Sequence, residues 1–458
     1  MRGKNKLVVG DLCRLYTKDP ELREKISQDL TFPNPEYVSA VKYYVTQLED
    51  IPKHINFYTE TDEYIGFPQG YLWGLDADNL DIEDVTCFPP DKKLNHRIKL
   101  YPYQERLANA LLNTRYGIGV APPGSGKTVV GLYIIAQLDS TALWVTPTRV
   151  LLDQTINRAK EFLEITDQDI GIIGDGKNHI SRVTLAIPDT LVNLDLSALR
   201  DRFGVVLFDE CHRVPANRNK IINCGLAPFH TYGITATPYR GDNLDKAIAI
   251  CIGPIVETIH KEEIEGRIKV KCKIRETSFR YTLRKDKRGN SIVHSRTYPH
   301  MVSRLVENES RNNMIVNDVV REVREGNLCL VLTGQIKHIK ILYDMLKHKV
   351  FALYTHSKMK KKEQVANEER FTKLTSGVLI ATYQKLAEGF DVKAISRLFI
   401  TFPIKSKREL TQSIGRAERE YKDKTAVLYD YMDVNVVLLQ KQIRTRLDIY
   451  EEAGVKLI

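Results

Sequence analysis

At 458 residues the chain exceeds what one ordinary hydrophobic core organises, so two or three domains are expected. With 43% apolar residues and no low-complexity run it reads as globular, and no apolar segment approaches the roughly 18 residues of a membrane-spanning helix. The formal charge of +10 favours a polyanionic partner without naming one.

The basic start Met1–Lys6 is followed only by Leu7–Gly10, too short an apolar stretch for a signal-peptide core. Residues 1–95 alternate short apolar segments with prolines at 33, 35, 52, 68, 89 and 90. Ile51–Tyr58 and Tyr64–Trp73 read as strands and Asn34–Leu48 as a helix, giving a small α+β accessory domain, expected to bind DNA, that ends near Pro89-Pro90.

From residue 96 the pattern changes. Tyr116–Ala121, Ala142–Thr146, Val183–Ile187, Val205–Phe208 and Gly233–Thr235 are buried-strand candidates, with helical stretches at Thr128–Leu138 and Arg149–Phe162 between them. A second series follows at Cys329–Thr333, Val350–Tyr354, Val378–Ala381, Arg397–Thr401 and Ala426–Tyr429. Strands alternating with helices mean parallel sheets covered by helices, so the fold class is α/β, with one lobe over 96–252 and another over 253–458. The seven cysteines, at 13, 87, 211, 224, 251, 272 and 329, form no C-x-x-C pair and read as reduced thiols, neither a disulfide frame nor a zinc site.

The second lobe opens on a basic segment. Between Arg267 and Arg296 eleven Lys/Arg face only Glu276 and Asp286, a net +9. Arg267–Arg275 alternates strictly, which puts Arg267, Lys269, Lys271, Lys273 and Arg275 on one strand face. Arg284, Lys287 and Arg288 then lead to Gly289-Asn290, a turn signal that suits a hairpin tip. A lysine-rich edge strand kept soluble by its charge would look the same. Five cations without acidic partners favour DNA contact.

Chemistry is carried by an ordered series of motifs. Ala121-Pro122-Pro123-Gly124-Ser125-Gly126-Lys127-Thr128 links a strand to a helix. Its glycines let backbone N–H groups converge on phosphate, Lys127 neutralises the β/γ-phosphates of ATP, and the Thr128 hydroxyl suits Mg²⁺. Asp209 and Glu210 close an apolar strand, Asp209 to hold hydrated Mg²⁺ and Glu210 to orient and deprotonate the attacking water.

Together with Asp209-Glu210-Cys211-His212, Thr235-Ala236-Thr237-Pro238 and Gln412–Arg419, this series resembles superfamily 2 helicases and translocases of the Asp-Glu-x-His type over residues 97–435. The resemblance implies two tandem RecA-like lobes. It implies that Gln104 reads the adenine edge, that His212 and Thr235–Thr237 relay the ATP state, and that Thr148 and Arg149 touch the DNA backbone. Thr382 implies a nucleic-acid contact, Gly389 and Asp391 a nucleotide contact, and Gln412, Arg416 and Arg419 an arginine-finger motif. Those arginines lie far along the chain from Lys127, so hydrolysis becomes conditional on closure of one lobe on the other.

The wording of the motifs, with Tyr239-Arg240 and Glu388–Asp391, resembles DNA-repair and phage branch-migration helicases more than Asp-Glu-Ala-Asp RNA helicases. The resemblance implies a cytoplasmic translocase, in the host cytoplasm if phage-encoded, that works as a monomer on forks or four-way junctions without a membrane. An RNA helicase, a restriction-system motor and an ATP-gated DNA clamp stay open as alternatives.

Overall fold

Val205–Asp209 and Leu328–Thr333 are apolar along nearly their whole length, which suits strands covered on both faces, and every residue of both is buried. Each lies in the interior of a sheet that is wholly or almost wholly parallel. A computed structural model describes residues 5–42, 51–76, 80–174, 176–213, 216–236, 245–264, 268–283, 297–387, 392, 394–404, 406–418 and 424–458. Two compact units, 1–264 and 265–458, divide it.

The first unit holds an eight-stranded sheet in the order Lys177–His179, Ile170–Gly174, Val183–Ala186, Ala142–Val145, Val205–Asp209, His230–Thr235, Tyr116–Val120, Ile255–Thr258. Only Lys177–His179 runs antiparallel to its neighbour. Helices Pro102–Leu112, Lys127–Gln137 and Arg149–Phe162 bury their apolar faces on one side around Trp144 and Leu207.

Residues 1–95 carry a second, five-stranded sheet, in the order Thr59–Glu60, Tyr64–Phe67, Cys13–Tyr16, Asn5–Val9, Leu80–Asp84. This accessory sheet is separate from the eight-stranded one but packs against it. Leu7, Val9, Leu15, Phe67 and Tyr71 share one core with Val120, Val145, Phe208, Ile248 and Ile252. Buried Gln69 donates to Gly10 O at 2.5 Å and to Pro228 O at 3.4 Å, and Arg115 reaches Asp84 at 2.6 Å. The expected strand Tyr64–Trp73 stops at Phe67, because Pro68 has no N–H for the ladder, and Gln69–Gly74 winds into a 3₁₀ turn. Strand Ile51–Tyr58 shortens to His54–Asn56. The helix expected over 34–48 is described over Pro35–Lys42.

The second unit is a seven-stranded, wholly parallel sheet: Ala352–Thr355, Gly377–Thr382, Leu328–Thr333, Arg397–Ile400, Val427–Met432, Lys271–Glu276, Lys456–Leu457. Two boundaries differ from the sequence expectation. Ile255–Thr258 pairs with Tyr116–Val120, so the first lobe runs to Ile264 rather than ending at 252. The strand read as Gly233–Thr235 begins at His230, since buried His230 and Tyr232 satisfy each other at 2.8 Å and the Tyr232 hydroxyl donates to Thr114 O. All seven cysteines are free thiols. Among the described residues no helix is long and apolar enough to cross a membrane.

Candidate active site

The motifs of the first unit gather at the carboxyl ends of adjacent parallel strands, where open α/β sheets build their sites. Strand His230–Thr235 lies between Val205–Asp209 and Tyr116–Val120, with Asp209 level with Ile234 and Val120 level with Thr235. The phosphate loop, Asp209 and Thr235 therefore share one sheet edge.

Two left-handed glycines shape the loop, Gly124 at φ 81° and Gly126 at φ 82°. Gly126 caps helix Lys127–Gln137, so successive N–H groups and the positive helix end converge on one place, the arrangement that binds phosphate. The loop also has a buttress. Gln104, 5% exposed, donates from Nε2 to Ser125 O at 2.7 Å while its Oε1 accepts from Tyr101 N at 3.0 Å. Both ends of the amide that the family resemblance assigns to adenine are here engaged with backbone.

A Cβ at Gly126 would stand 2.3 Å from Gln104 Nε2. Gly126→Ala therefore meets a clash as well as about 1–2 kcal/mol of left-handed strain. It should raise the KM for ATP by about tenfold or more. An unchanged KM in an ATP titration would show that neither the clash nor the strain shapes the loop.

Lys127 Nζ lies 3.3 Å from Ala121 O and 3.6 Å from Glu210 Oε1. Glu210 is the one described non-glycine residue with positive φ, 46°, a strained conformation that concentrates at functional sites. Its other oxygen lies 3.5 Å from His212 Nδ1, and the same nitrogen lies 2.5 Å from Thr235 Oγ1. Lys127, Glu210, His212 and Thr235 thus form one polar chain from the phosphate loop to the end of strand His230–Thr235. Asp209 is buried at its strand's end and Thr128 is the second residue of the phosphate-loop helix.

Thr148 caps helix Arg149–Phe162 by accepting from Leu151 N at 3.3 Å, and Arg149 pairs with Asp153 one turn on. In the second unit, buried Thr382 accepts from Lys385 N at 3.3 Å and starts helix Tyr383–Ala387. Buried Lys385, which the sequence reading passed over, pairs with Glu368 at 3.2 Å. It stands in the sequence between Thr382 and Glu388–Asp391, a placement that points to it. Helix Lys407–Ala417 carries Gln412 and half-buried Arg416. The Gln412 side chain, Thr237, Pro238, Tyr239, Arg240, Glu388, Gly389, Phe390, Asp391, Arg419, Arg267, Arg284, Lys287, Arg288, Gly289 and Asn290 lie outside the described residues.

The basic strand needs correction. It runs Lys271–Glu276, inside the sheet between Val427–Met432 and Lys456–Leu457. Its alternation is as expected, with Val270 and Cys272 buried, but one of its cations has an acidic partner and a second reaches one only through a tyrosine hydroxyl. Arg275 donates to buried Asp318 at 2.9 Å. Lys273 donates to the Tyr429 hydroxyl at 3.3 Å, which in turn donates to Glu322. Lys269 and Lys271 are exposed. The first 95 residues, with eleven Lys/Arg against seventeen Asp/Glu, carry a net −6 that opposes a phosphate backbone.

Residues 97–240 match the family "Type III restriction enzyme, res subunit", and residues 311–420 match "Helicase conserved C-terminal domain". The two matches fall on the two sheets, in order, and span more than half the chain. The protein is a superfamily 2 helicase. As such it hydrolyses ATP. The helicase is 25% identical over 445 residues to the mimivirus protein named "Putative ATP-dependent RNA helicase L396", covering 95% of this chain and 82% of that one. It is 26% identical over 378 residues to the "DNA 3'-5' translocase XPB2" of Sulfurisphaera tokodaii, covering 76% and 84%. Among solved structures, yeast Dbp5 bound to RNA and ADP BeF3 superposes with a TM-score of 0.57 at 16% identity, covering 79% of this chain and 90% of that one, a likeness of fold.

Proposed function

We propose that this helicase is an ATP-driven DNA translocase of the Asp-Glu-x-His type that remodels branched duplexes, such as forks and four-way junctions, in replication, recombination or repair. The observation that carries the motor reading is the polar chain Lys127–Glu210–His212–Thr235, which ties the phosphate site to the segment that begins at Thr235. In this reading Lys127 and the loop N–H groups hold the β/γ-phosphates, Glu210 orients and deprotonates water, and His212 with Thr235 passes on the state of the site. Arg416 and Arg419 supply positive charge to the transferring phosphoryl group, with Gln412 a neutral hydrogen-bonding member of the same motif. The Thr128 hydroxyl and Asp209 carboxylate are hard oxygen donors that suit Mg²⁺, which is bound through few carboxylates plus substrate phosphates and neutralises their charge.

The name of the Sulfurisphaera relative and the wording of the motifs support DNA; the name of the mimivirus relative supports RNA. ATPase assays with single-stranded, duplex and forked DNA and with RNA decide between them. Forked DNA should stimulate most. Stronger stimulation by RNA would sink the DNA reading.

Grip on the backbone should come in part from Lys269 and Lys271, the exposed cations of the basic strand. Replacing both with Ala should flatten the slope of log K against log salt by about 2 units, since each phosphate contact contributes roughly 0.9. Adding Lys273→Ala should flatten it little further, because Lys273 is held by Tyr429. An unchanged slope in the double variant would mean that this strand face meets only water.

A further inference from the structure

The segment that opens helix Tyr383–Ala387 and the loop that delivers the arginine helix are fastened to each other inside the second unit. The Tyr383 side chain is 6% exposed, and its hydroxyl donates to Phe402 O at 3.1 Å. Burial pushes this phenol well above its ordinary pKa, so it stays a donor at any working pH. Phe402 is also held by its ring, which covers Gly334 so closely that a Cβ there would lie 2.4 Å from the Phe402 edge.

The residue before it is held equally firmly. Thr401 donates from both N and Oγ1 to Leu332 O, at 3.1 and 2.8 Å. Its own carbonyl accepts from Arg311 Nη1 at 2.9 Å. Arg311 is 1% exposed and clamped on Asp433 through Nε at 2.8 Å and Nη2 at 3.3 Å. A charge so buried survives only when fully paired, which makes this a rigid anchor. Only Pro403, buried Ile404, Lys405 and the cap Ser406 separate Phe402 from helix Lys407–Ala417.

We propose that Tyr383 is a positioning residue that couples the Thr382 segment to the arginine helix, so that nucleic acid engaged at the former sets Arg416 for hydrolysis. Thr382 caps the helix that Tyr383 begins, and a shift there pulls directly on Phe402 O. The anchored Thr401 keeps that movement out of strand Arg397–Ile400. This rests on the reading of Arg416 as an arginine acting on the transferring phosphoryl group.

The test compares three variants, with kcat and KM for ATP measured at saturating forked DNA. Tyr383→Phe keeps the ring and removes one hydroxyl. It should lower stimulated kcat about tenfold while the KM for ATP stays within about twofold, the split expected of an interaction realised only in the transition state. Tyr431→Phe removes an equally buried hydroxyl, bonded to Asp318 at 2.9 Å in the same unit, and should leave kcat within about twofold. Arg416→Ala reports on the arginine itself. Wild-type turnover in Tyr383→Phe beside a crippled Arg416→Ala would overturn the coupling alone. Equal losses in both tyrosine variants would reduce it to general loosening. Full turnover in Arg416→Ala would remove the arginine reading and the coupling with it.

Discussion

Lys127→Ala should lower ATP turnover by at least about 10³-fold, roughly 4 kcal/mol of transition-state stabilisation. Lys127 is the cation at the mouth of a loop otherwise made of backbone donors, and it stands 3.6 Å from Glu210. Losing it removes the charge that the β/γ-phosphates require and leaves Glu210 facing them without its lysine partner. Nucleic-acid binding should persist, because Lys269 and Lys271 belong to the other unit. Glu210→Gln should separate the two roles of the site. The amide keeps the shape of the side chain and one acceptor oxygen but cannot take a proton, so ATP should bind and remain uncleaved. Filter binding of labelled ATP beside a phosphate-release assay checks both variants. Near-normal release in either would remove these residues from the chemistry.

Arg416→Ala should depress nucleic-acid-stimulated turnover by about 10³-fold or more, the range of arginine fingers, while ATP affinity changes less than about tenfold. The asymmetry follows from when the guanidinium acts. Charge accumulates on the phosphoryl oxygens in the transition state, so an arginine placed for that moment contributes little to ground-state binding. Ser406 caps its helix and Leu410 and Ile414 anchor it in the core, so the substitution should leave the fold intact. Arg419→Ala should behave alike. Equal losses of affinity and turnover would mark Arg416 as a binding residue instead.

The sequence by itself determined the parts and their order. A loop of Gly124, Gly126, Lys127 and Thr128 between a strand and a helix, and carboxylates at the end of Val205–Asp209, are local patterns, because strand, turn and helix preferences act over a few residues. The runs of buried apolar residues placed most strands of both parallel sheets within a residue or two. Two strands are less legible: His230–Thr235 starts on polar residues whose partners lie elsewhere in the fold, and glycines interrupt the apolar run of Ile170–Gly174.

Tertiary structure alone decided what those parts touch. That Gln104 braces Ser125, that Glu210 adopts a left-handed backbone, and that residues 1–95 share a core with the first lobe cannot be read from spacing. The basic strand shows the reason most plainly. Its alternation was legible, yet the partners that hold Arg275 and Lys273 lie 43 and 156 residues away. Whether a charged side chain is free for a ligand depends on what the fold sets beside it, and a pair closed between a strand and a distant helix leaves no mark on the local pattern.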